Sequence, residues 1–177
     1  PDGDKVIPVI NEMRGEFDHV ILSQDWHPAD HTSFASPHPG KSPYDTIEMP
    51  YGTQVLWPDH CIQNTPGAAF HPDLEAEAEF IVHKGIHTGI DSYSTFFEND
   101  RKTKTGLEKY LREHGIEELT IVGLATDFCV RWSAVDAAKL GYDVRVELHA
   151  CRGLDIDGSM EAAMVAMDEA GVALVAA

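Results

Sequence analysis

Short apolar runs of strand length alternate along this chain with longer segments in which apolar residues recur at helical spacing. The predicted strands are His19–Gln24, Glu79–Lys84, Leu119–Leu124, Asp143–Leu148 and Val172–Val175. The predicted helices cover residues 3–16, 104–115, 127–141 and 158–171. Strands that alternate with helices are typical of a parallel sheet covered by helices, so the pattern predicts an α/β fold.

This alternation is interrupted in two places. The segment 26–72 is rich in proline and has little periodicity, so it is predicted to be a long loop, and such loops in compact domains are usually functional or disordered. The chain also opens on the helix 3–16, with no strand before it. In an order of strand then helix, the first strand is therefore missing from the pattern.

Composition narrows the range of functions. The 177 residues, 43% of them hydrophobic, are enough for one full-sized core, so a single domain spanning 1–177 is predicted. The formal charge of -17 repels nucleic-acid phosphates and anionic lipid. No apolar run approaches the roughly 20 residues that cross a bilayer, and no signal segment opens the chain. We therefore expect a cytoplasmic protein without nucleic-acid or membrane partners.

Three residues with reactive side chains lie at the ends of predicted strands. Asp25 follows the first strand, Lys84 ends the second, and Cys129 lies just past the third. The ligand crevice of a parallel sheet lies outside the carboxyl ends of its strands, so all three are expected on one rim. A nearby lysine and the start of a helix both favour a thiolate, which predicts Cys129 as a nucleophile. The alternative is that Cys129 is a small buried apolar residue.

The proline-rich segment supplies candidate metal ligands. Asp25 and His27 are two residues apart, so both face one side of an extended backbone, and His60 joins them from "WPDHC". One carboxylate and two imidazoles suit Zn²⁺ and are compatible with Fe²⁺ or Mn²⁺. His31 is either a further ligand or, as its spacing favours, a hydrogen-bonding neighbour of the ligands. The alternative is that all of these are ordinary loop histidines.

Four segments carry a family resemblance, in the order "QDWHPADHTSFA", "WPDHCIQNTPGAAFHPDL", "HKGIHTGIDSYSTFF" and "GLATDFCVRWSAVDAAKLGY". Through them the chain resembles the nicotinamidases (pyrazinamidases) among the isochorismatase-like cysteine hydrolases. The resemblance implies a three-layer α/β/α fold around a central parallel sheet. It also implies hydrolysis of nicotinamide, and of pyrazinamide, to the acid and ammonia through a cysteine thioester, as part of NAD salvage. Whether the protein forms a homo-oligomer is left open.

The resemblance also implies roles for individual residues. Cys129 is implied as the nucleophile and Lys84 as the second member of an Asp-Lys-Cys triad. The group of Asp25, His27 and His60 is implied to hold one divalent metal ion, which binds the pyridine nitrogen of the substrate.

Further positions follow from the same resemblance. Trp57 and Tyr93 correspond to aromatic walls of the substrate pocket, with plain core packing as the alternative. A cis peptide is implied between Leu124 and Ala125, which turns the Ala125 N–H toward the site. Together with the Cys129 N–H it would form an oxyanion hole, which is a pair of donors for the negative oxygen formed during attack on an amide.

The triad aspartate has no counterpart in this sequence. The resemblance places it at the end of a first strand, in a segment like D-x-Q-N-D-F, so it is expected upstream of Pro1. Within the chain Asp127 and Asp91 are the candidate substitutes, although the position of Asp127 fits a helix cap better. Two other functions stay open: another amidohydrolase of the superfamily, and a non-catalytic, metal-dependent binding module for nicotinamide-like ligands.

Overall fold

The computed structural model describes residues 2–176, so the two end residues of the predicted domain lie outside it. The helices are α1 (Val6–Met13), α2 (Leu107–Glu113), α3 (Arg131–Lys139) and α4 (Ser159–Glu169). The strands are β1 (Ile21–Asp25), β2 (Thr46–Met49), β3 (Gly52–Val55), β4 (Phe80–Lys84), β5 (Glu118–Leu124), β6 (Asp143–Arg152) and β7 (Ala173–Val175). Single turns of 3₁₀ helix cover Gly3–Lys5, Arg14–Glu16 and Pro66–Ala68, and a π-helical turn covers Thr126–Val130.

Every strand and helix predicted from the periodicity is present, with ends shifted by a few residues. The largest extension is in β6, which runs on to Arg152 because its last residues pair with the end of β5 beyond a register shift. The prediction that 26–72 is a loop throughout was wrong, because β2 and β3 form an antiparallel hairpin within it. Strands of four residues are too short to produce a clear period in the sequence.

Parallel pairing divides the main strands into two groups. In the first group β1 pairs with β4, from Ile21 opposite Phe80 to Asp25 opposite Lys84. In the second, β5, β6 and β7 pair in that order. Within residues 2–176 no backbone pairing joins the two groups. A cleft lies between them, and its lining includes Leu22 and Ser23 of β1, Thr120 and Val122 of β5, and Cys129.

The core lies between the strands of the second group and the helices that cover them, and it extends to Val82 of β4 and to Leu107 and Leu111 of α2. Helices α3 and α4 pack on each other, α3 also packs on β6, and α1 packs on β5 and β6. Buried core side chains include Val130, Ala134, Val144, Val146 and Met167. Full burial of a valine or methionine side chain contributes about 1.5–3 kcal/mol, so this interface holds the carboxyl end of β5 firmly in place. Among residues 2–176, no helix is both long and apolar enough to span a lipid bilayer.

Candidate active site

The carboxyl ends of β1, β4 and β5 bring Asp25, Lys84 and Cys129 together, as the strand pattern predicts. The Lys84 Nζ lies 2.5 Å from Asp25 Oδ1 and 3.5 Å from Cys129 Sγ. It also donates a hydrogen bond to the Ser92 carbonyl at 3.2 Å. Because Lys84 is only 2% exposed, these neighbours must satisfy its charge in place of water.

The pairing of Lys84 with Asp25 keeps both groups ionised. Burial alone would lower the pKa of Lys84, but the negative groups around it, chiefly Asp25 through its charge and hydrogen bond, together outweigh burial, so the pKa of Lys84 is raised. Burial likewise would raise the pKa of Asp25, but Lys84 and the two nearby histidines together outweigh burial, so the pKa of Asp25 is lowered. At neutral pH the site therefore contains a buried ammonium next to the sulfur.

Cys129 nevertheless lies in an environment that favours the neutral thiol. Burial raises the pKa of Cys129 to about 11, and the charge of Lys84 offsets this only in part. The expectation of a lowered pKa was wrong, although Lys84 does act in the expected direction. Cys129 lies in the π-helical turn Thr126–Val130, which begins the helical segment that continues as α3, and its pKa is raised because burial outweighs the charge of Lys84. A base must therefore accept the thiol proton when the sulfur attacks a substrate.

This raised pKa predicts the pH dependence of thiol chemistry at the site. We expect alkylation of Cys129 by iodoacetamide to accelerate roughly tenfold per pH unit from about pH 7 to about pH 9, because only the thiolate reacts. Site-resolved mass spectrometry would measure the rate, with the protein in urea as the control, where the thiol should ionise near pH 8.5. A rate that levels off below about pH 8 in the folded protein would contradict the raised pKa.

Asp25, His27 and His60 form a group suited to a divalent metal ion. One ligand atom from each residue lies within 4.8 Å of the others. The Nδ1–H of His27 donates to the Gly85 carbonyl at 3.0 Å, and the Nδ1–H of His60 donates to the Pro58 carbonyl at 2.8 Å. Both histidines therefore keep Nε2 as the atom with a free lone pair, which is the usual arrangement of metal-binding histidines.

The surroundings of His27 favour its role as a ligand. Burial lowers the pKa of His27, although the charge of Asp25 opposes this, so the ring is held in the neutral form that binds metal ions. Gly85 is required beside it, because a Cβ at this position would lie 2.4 Å from the His27 ring. The sequence signal for Gly85 is limited to a glycine directly after a predicted strand, in "HKG".

A second buried group, formed by His27, His31 and Asp91, is less suited to a metal ion. Its ligand atoms also lie within 4.8 Å of one another. However, the Nε2–H of His31 donates to the Ile90 carbonyl at 3.2 Å, and its Nδ1 accepts from the Ser33 hydroxyl at 2.7 Å. Because both of its ring nitrogens are hydrogen-bonded, His31 has no free lone pair for a metal ion. Its ring packs against the His27 ring at a centroid distance of 4.4 Å and helps to hold that ring in place.

Trp57 and Tyr93 lie side by side, as the proposed pocket requires. The Trp57 Nε1–H donates to the Tyr93 hydroxyl at 3.2 Å. Two aromatic residues that no sequence pattern indicated extend this aromatic cluster. Phe128 packs edge-on against Trp57 with 4.8 Å between ring centroids, and the Trp132 ring lies 6.5 Å from that of Tyr93. Because Phe128 precedes Cys129 directly, the aromatic wall continues into the turn that carries the thiol.

The backbone between β5 and this turn has the form that the resemblance implies. The Leu124–Ala125 peptide is cis. The Ala125 carbonyl accepts hydrogen bonds from the N–H groups of Phe128 and Val130, both at 3.1 Å. These bonds fix the path of the chain from the end of β5 into the turn that carries Cys129.

Comparison with known proteins agrees with this geometry. The family described as "Isochorismatase domain" matches residues 4–177. The chain belongs to the isochorismatase family. Among its relatives, the nicotinamidase of Acinetobacter baylyi is 52% identical over 170 residues, which cover 96% of this chain and 79% of that protein.

Solved isochorismatase-family structures share the fold described above. A nicotinamidase and pyrazinamidase of Acinetobacter baumanii is 52% identical, with a TM-score of 0.98 over 99% of this chain and 86% of that one. The pyrazinamidase of Pyrococcus horikoshii, solved in complex with zinc, is 33% identical, with a TM-score of 0.78 over 100% of this chain and 88% of that one. The predicted α/β class with parallel strands and the family resemblance are both confirmed.

Asp127 does not replace the triad aspartate that the resemblance to the isochorismatase family implies. Its Oδ1 accepts from the Leu154 N–H at 3.0 Å, and its Oδ2 accepts from the Asp155 N–H at 2.8 Å and the Ser159 hydroxyl at 2.5 Å. The prediction that Asp127 caps its own helix was also wrong, since it makes no such bond. Its carboxylate instead links the turn that carries Cys129 to the segment that leads into α4.

Asp91 is also held away from the thiol. Its Oδ1 accepts from the Ser92 N–H and its Oδ2 accepts from Gln54 Nε2, both at 2.8 Å. Within residues 2–176 it makes no hydrogen bond to Cys129. Asp91 therefore adds negative charge to the site without a route for a proton to the sulfur.

Proposed function

We propose that this protein is a metal-dependent nicotinamidase, which hydrolyses nicotinamide, and also pyrazinamide, to the acid and ammonia through a thioester on Cys129. The observation that carries the proposal is the buried Lys84 ammonium in contact with both Asp25 and Cys129, beside a group of metal ligands. Buried charges and reactive groups in one crevice are typical of active sites, because a purely structural role would favour apolar residues there. The proposed setting is the cytoplasm and NAD salvage.

In the proposed reaction the Cys129 Sγ attacks the carboxamide carbon of the substrate. A C–S bond forms, the carbonyl electrons move to the oxygen, and the C–N bond then breaks as a proton is delivered to the departing ammonia. Lys84 stabilises the thiolate as it forms, and the N–H groups of Ala125 and Cys129 would stabilise the negative oxygen. Water then hydrolyses the thioester and releases the acid.

Asp25, His27 and His60 would hold the metal ion in this proposal. Zinc is the first choice for one carboxylate and two imidazoles, with iron or manganese as alternatives. Asp25 can bind Lys84 and a metal ion at the same time, because it has two carboxylate oxygens. Its Oδ1 binds Lys84, while its Oδ2 lies 4.0 Å from the His60 Nε2. When bound, the ion would supply a Lewis acid for the pyridine nitrogen, which orients the ring toward the sulfur.

The proposal needs one more proton carrier, which the family resemblance gives as an aspartate at the carboxyl end of a parallel strand. The cleft between β1 and β5 supports this placement, because both bordering strands lack a partner on that side within residues 2–176 and Cys129 contributes to its lining. A carboxylate at the carboxyl end of a parallel strand in this cleft would lie on the same rim as Lys84. Such a group would accept the proton that the raised pKa of Cys129 keeps on the sulfur.

Ammonia release from nicotinamide tests the proposal. Residues 1–177 and a form extended at the N terminus would be assayed side by side, with benzamide as the matched substrate that lacks the ring nitrogen. We expect turnover of nicotinamide by the extended form and much slower turnover of benzamide. Equal turnover by both forms would assign the proton transfer to a residue within the chain. If neither form releases ammonia although metal is bound, the binding-module function would be favoured.

A further inference from the structure

The β2–β3 hairpin reaches the proposed pocket through one buried side chain, that of Gln54. This residue is 1% exposed, and its Nε2 donates to Asp91 Oδ2 at 2.8 Å and to the Val55 carbonyl at 2.7 Å. The two N–H groups of this amide are shared among these two acceptors and the Tyr93 hydroxyl, which accepts from the same nitrogen at 3.1 Å. The Gln54 Oε1 accepts from the Tyr51 hydroxyl at 3.2 Å. One amide thus connects the hairpin to a carboxylate and to an aromatic wall.

The segment that Gln54 contacts, residues 91–93, also touches the catalytic centre. The carbonyl of the middle residue, Ser92, accepts a hydrogen bond from the Lys84 ammonium. The last residue, Tyr93, accepts a hydrogen bond from Trp57 at its hydroxyl. Gln54 therefore binds both ends of the short segment 91–93. The backbone of this segment contacts Lys84 at Ser92, and its Tyr93 side chain forms the proposed pocket wall.

The chemistry of Gln54 matters more at this position than its size. Asp91 is 2% exposed, so its carboxylate needs buried donors, and Gln54 supplies one of them. An apolar side chain of equal length would fill the same space but would leave this carboxylate and the Tyr93 hydroxyl without that donor. Buried groups that lose a partner move to find another one or admit water, and either change would displace the Tyr93 ring.

We propose that Gln54 is a positioning residue, which sets the binding of the substrate ring by fixing Tyr93 and, through its hydroxyl, Trp57. The inference rests on the proposed function, because the pocket is the one assigned to the nicotinamide ring. Gln54 touches none of the reacting atoms. Since an aromatic wall contacts the ring equally before and during the reaction, its displacement weakens binding in both states and raises KM more than it lowers kcat.

The decisive variant is Gln54→Met, which keeps the length of the side chain and removes its donors and acceptor. We expect KM for nicotinamide to rise roughly tenfold while kcat changes less than about threefold, as measured by ammonia release. The matched control is Thr53→Val on the same strand, whose hydroxyl donates only to the exposed Glu48. This control should leave both constants unchanged.

A double-variant cycle separates positioning from simple loss of stability. Tyr93→Phe removes the shared hydroxyl and keeps the ring, so it should raise KM by itself, even if Gln54→Met fails to fold. Combined with Gln54→Met it should raise KM much less than the product of the two single effects, because both act through one contact. A lower melting temperature with unchanged KM, or effects on KM that multiply, would overturn the inference.

A binding measurement keeps this test independent of turnover. Calorimetric titration with nicotinate requires the pocket but no reaction, and Gln54→Met should raise its Kd by about the same factor as KM. If the parent protein binds nicotinate without releasing ammonia, the proposed function fails while the role of Gln54 is still measured. If the parent releases ammonia and Gln54→Met changes neither KM nor Kd, the role of Gln54 is refuted and the proposed function stands.

Discussion

Replacing Cys129 by alanine is expected to stop ammonia release from nicotinamide, with kcat lower by about 10⁴-fold or more. The reason is that the thioester needs this sulfur, which lies 3.5 Å from the Lys84 ammonium. The metal content should not change, because Cys129 is not among the grouped ligands Asp25, His27 and His60. The ammonia assay and elemental analysis of the same purified sample would measure both quantities, using the form of the protein that turns over nicotinamide.

The matched control for this variant is Cys151→Ala. Cys151 is 3% exposed and packs in the hydrophobic core, so its loss should cost about 1 kcal/mol of stability and leave the rate unchanged. Ammonia release from Cys129→Ala at the rate of the parent protein would rule out the thioester. If Cys129→Ala and the parent protein bind nicotinamide equally and neither releases ammonia, the binding-module function would be supported instead.

The second large effect is expected for His27→Ala, which should remove the metal ion and lower kcat/KM by about 100-fold or more. His27 offers its Nε2 to the proposed site, because its Nδ1–H donates to the Gly85 carbonyl. The ion pair of Lys84 with Asp25 does not depend on this ring, so the fold around Cys129 should persist. Metal content per chain and the kinetic constants would be measured together, and circular dichroism would confirm the fold.

A histidine outside the group provides the comparison for His27→Ala. His71 is exposed and its ring contacts Asp73, outside the ligand group, so His71→Ala should keep both metal and activity. A His27→Ala protein with one full equivalent of metal and normal kcat/KM would refute the ligand assignment. Metal loss without any change in kcat/KM would assign the ion a structural role and leave the ring nitrogen without its proposed partner.

The meeting of Asp25, Lys84 and Cys129 could be predicted because it follows from two local properties of the sequence. Periodicity identifies the strands, and parallel strands place their carboxyl ends on one rim, so residues far apart in sequence meet there. The neighbouring positions of Asp25 and His27 on an extended backbone follow in the same way. The roles proposed for these residues stay predictions until the variants are measured.

Features that depend on contacts between distant segments could not be read from the sequence. The pKa of Cys129 was predicted in the wrong direction, because the sequence shows a nearby lysine but not how far the sulfur is buried. Gln54 lies in a hairpin too short to produce a periodic signal, and its partner Asp91 is 37 positions away. Gly85 gives the same lesson, since only the folded chain shows the His27 ring lying against it.

The hydrogen bonds of Asp127 determine an order in which parts of this site can form during synthesis of the chain. A ribosome delivers the chain from its N terminus, so the turn with Cys129 emerges before the Leu154–Ser159 segment that Asp127 binds. Until that later segment emerges, the carboxylate lacks these three partners, and only the local hydrogen bonds of the Ala125 carbonyl hold the turn. The turn that carries the thiol therefore gains this support only after residues 154–159 have been synthesised.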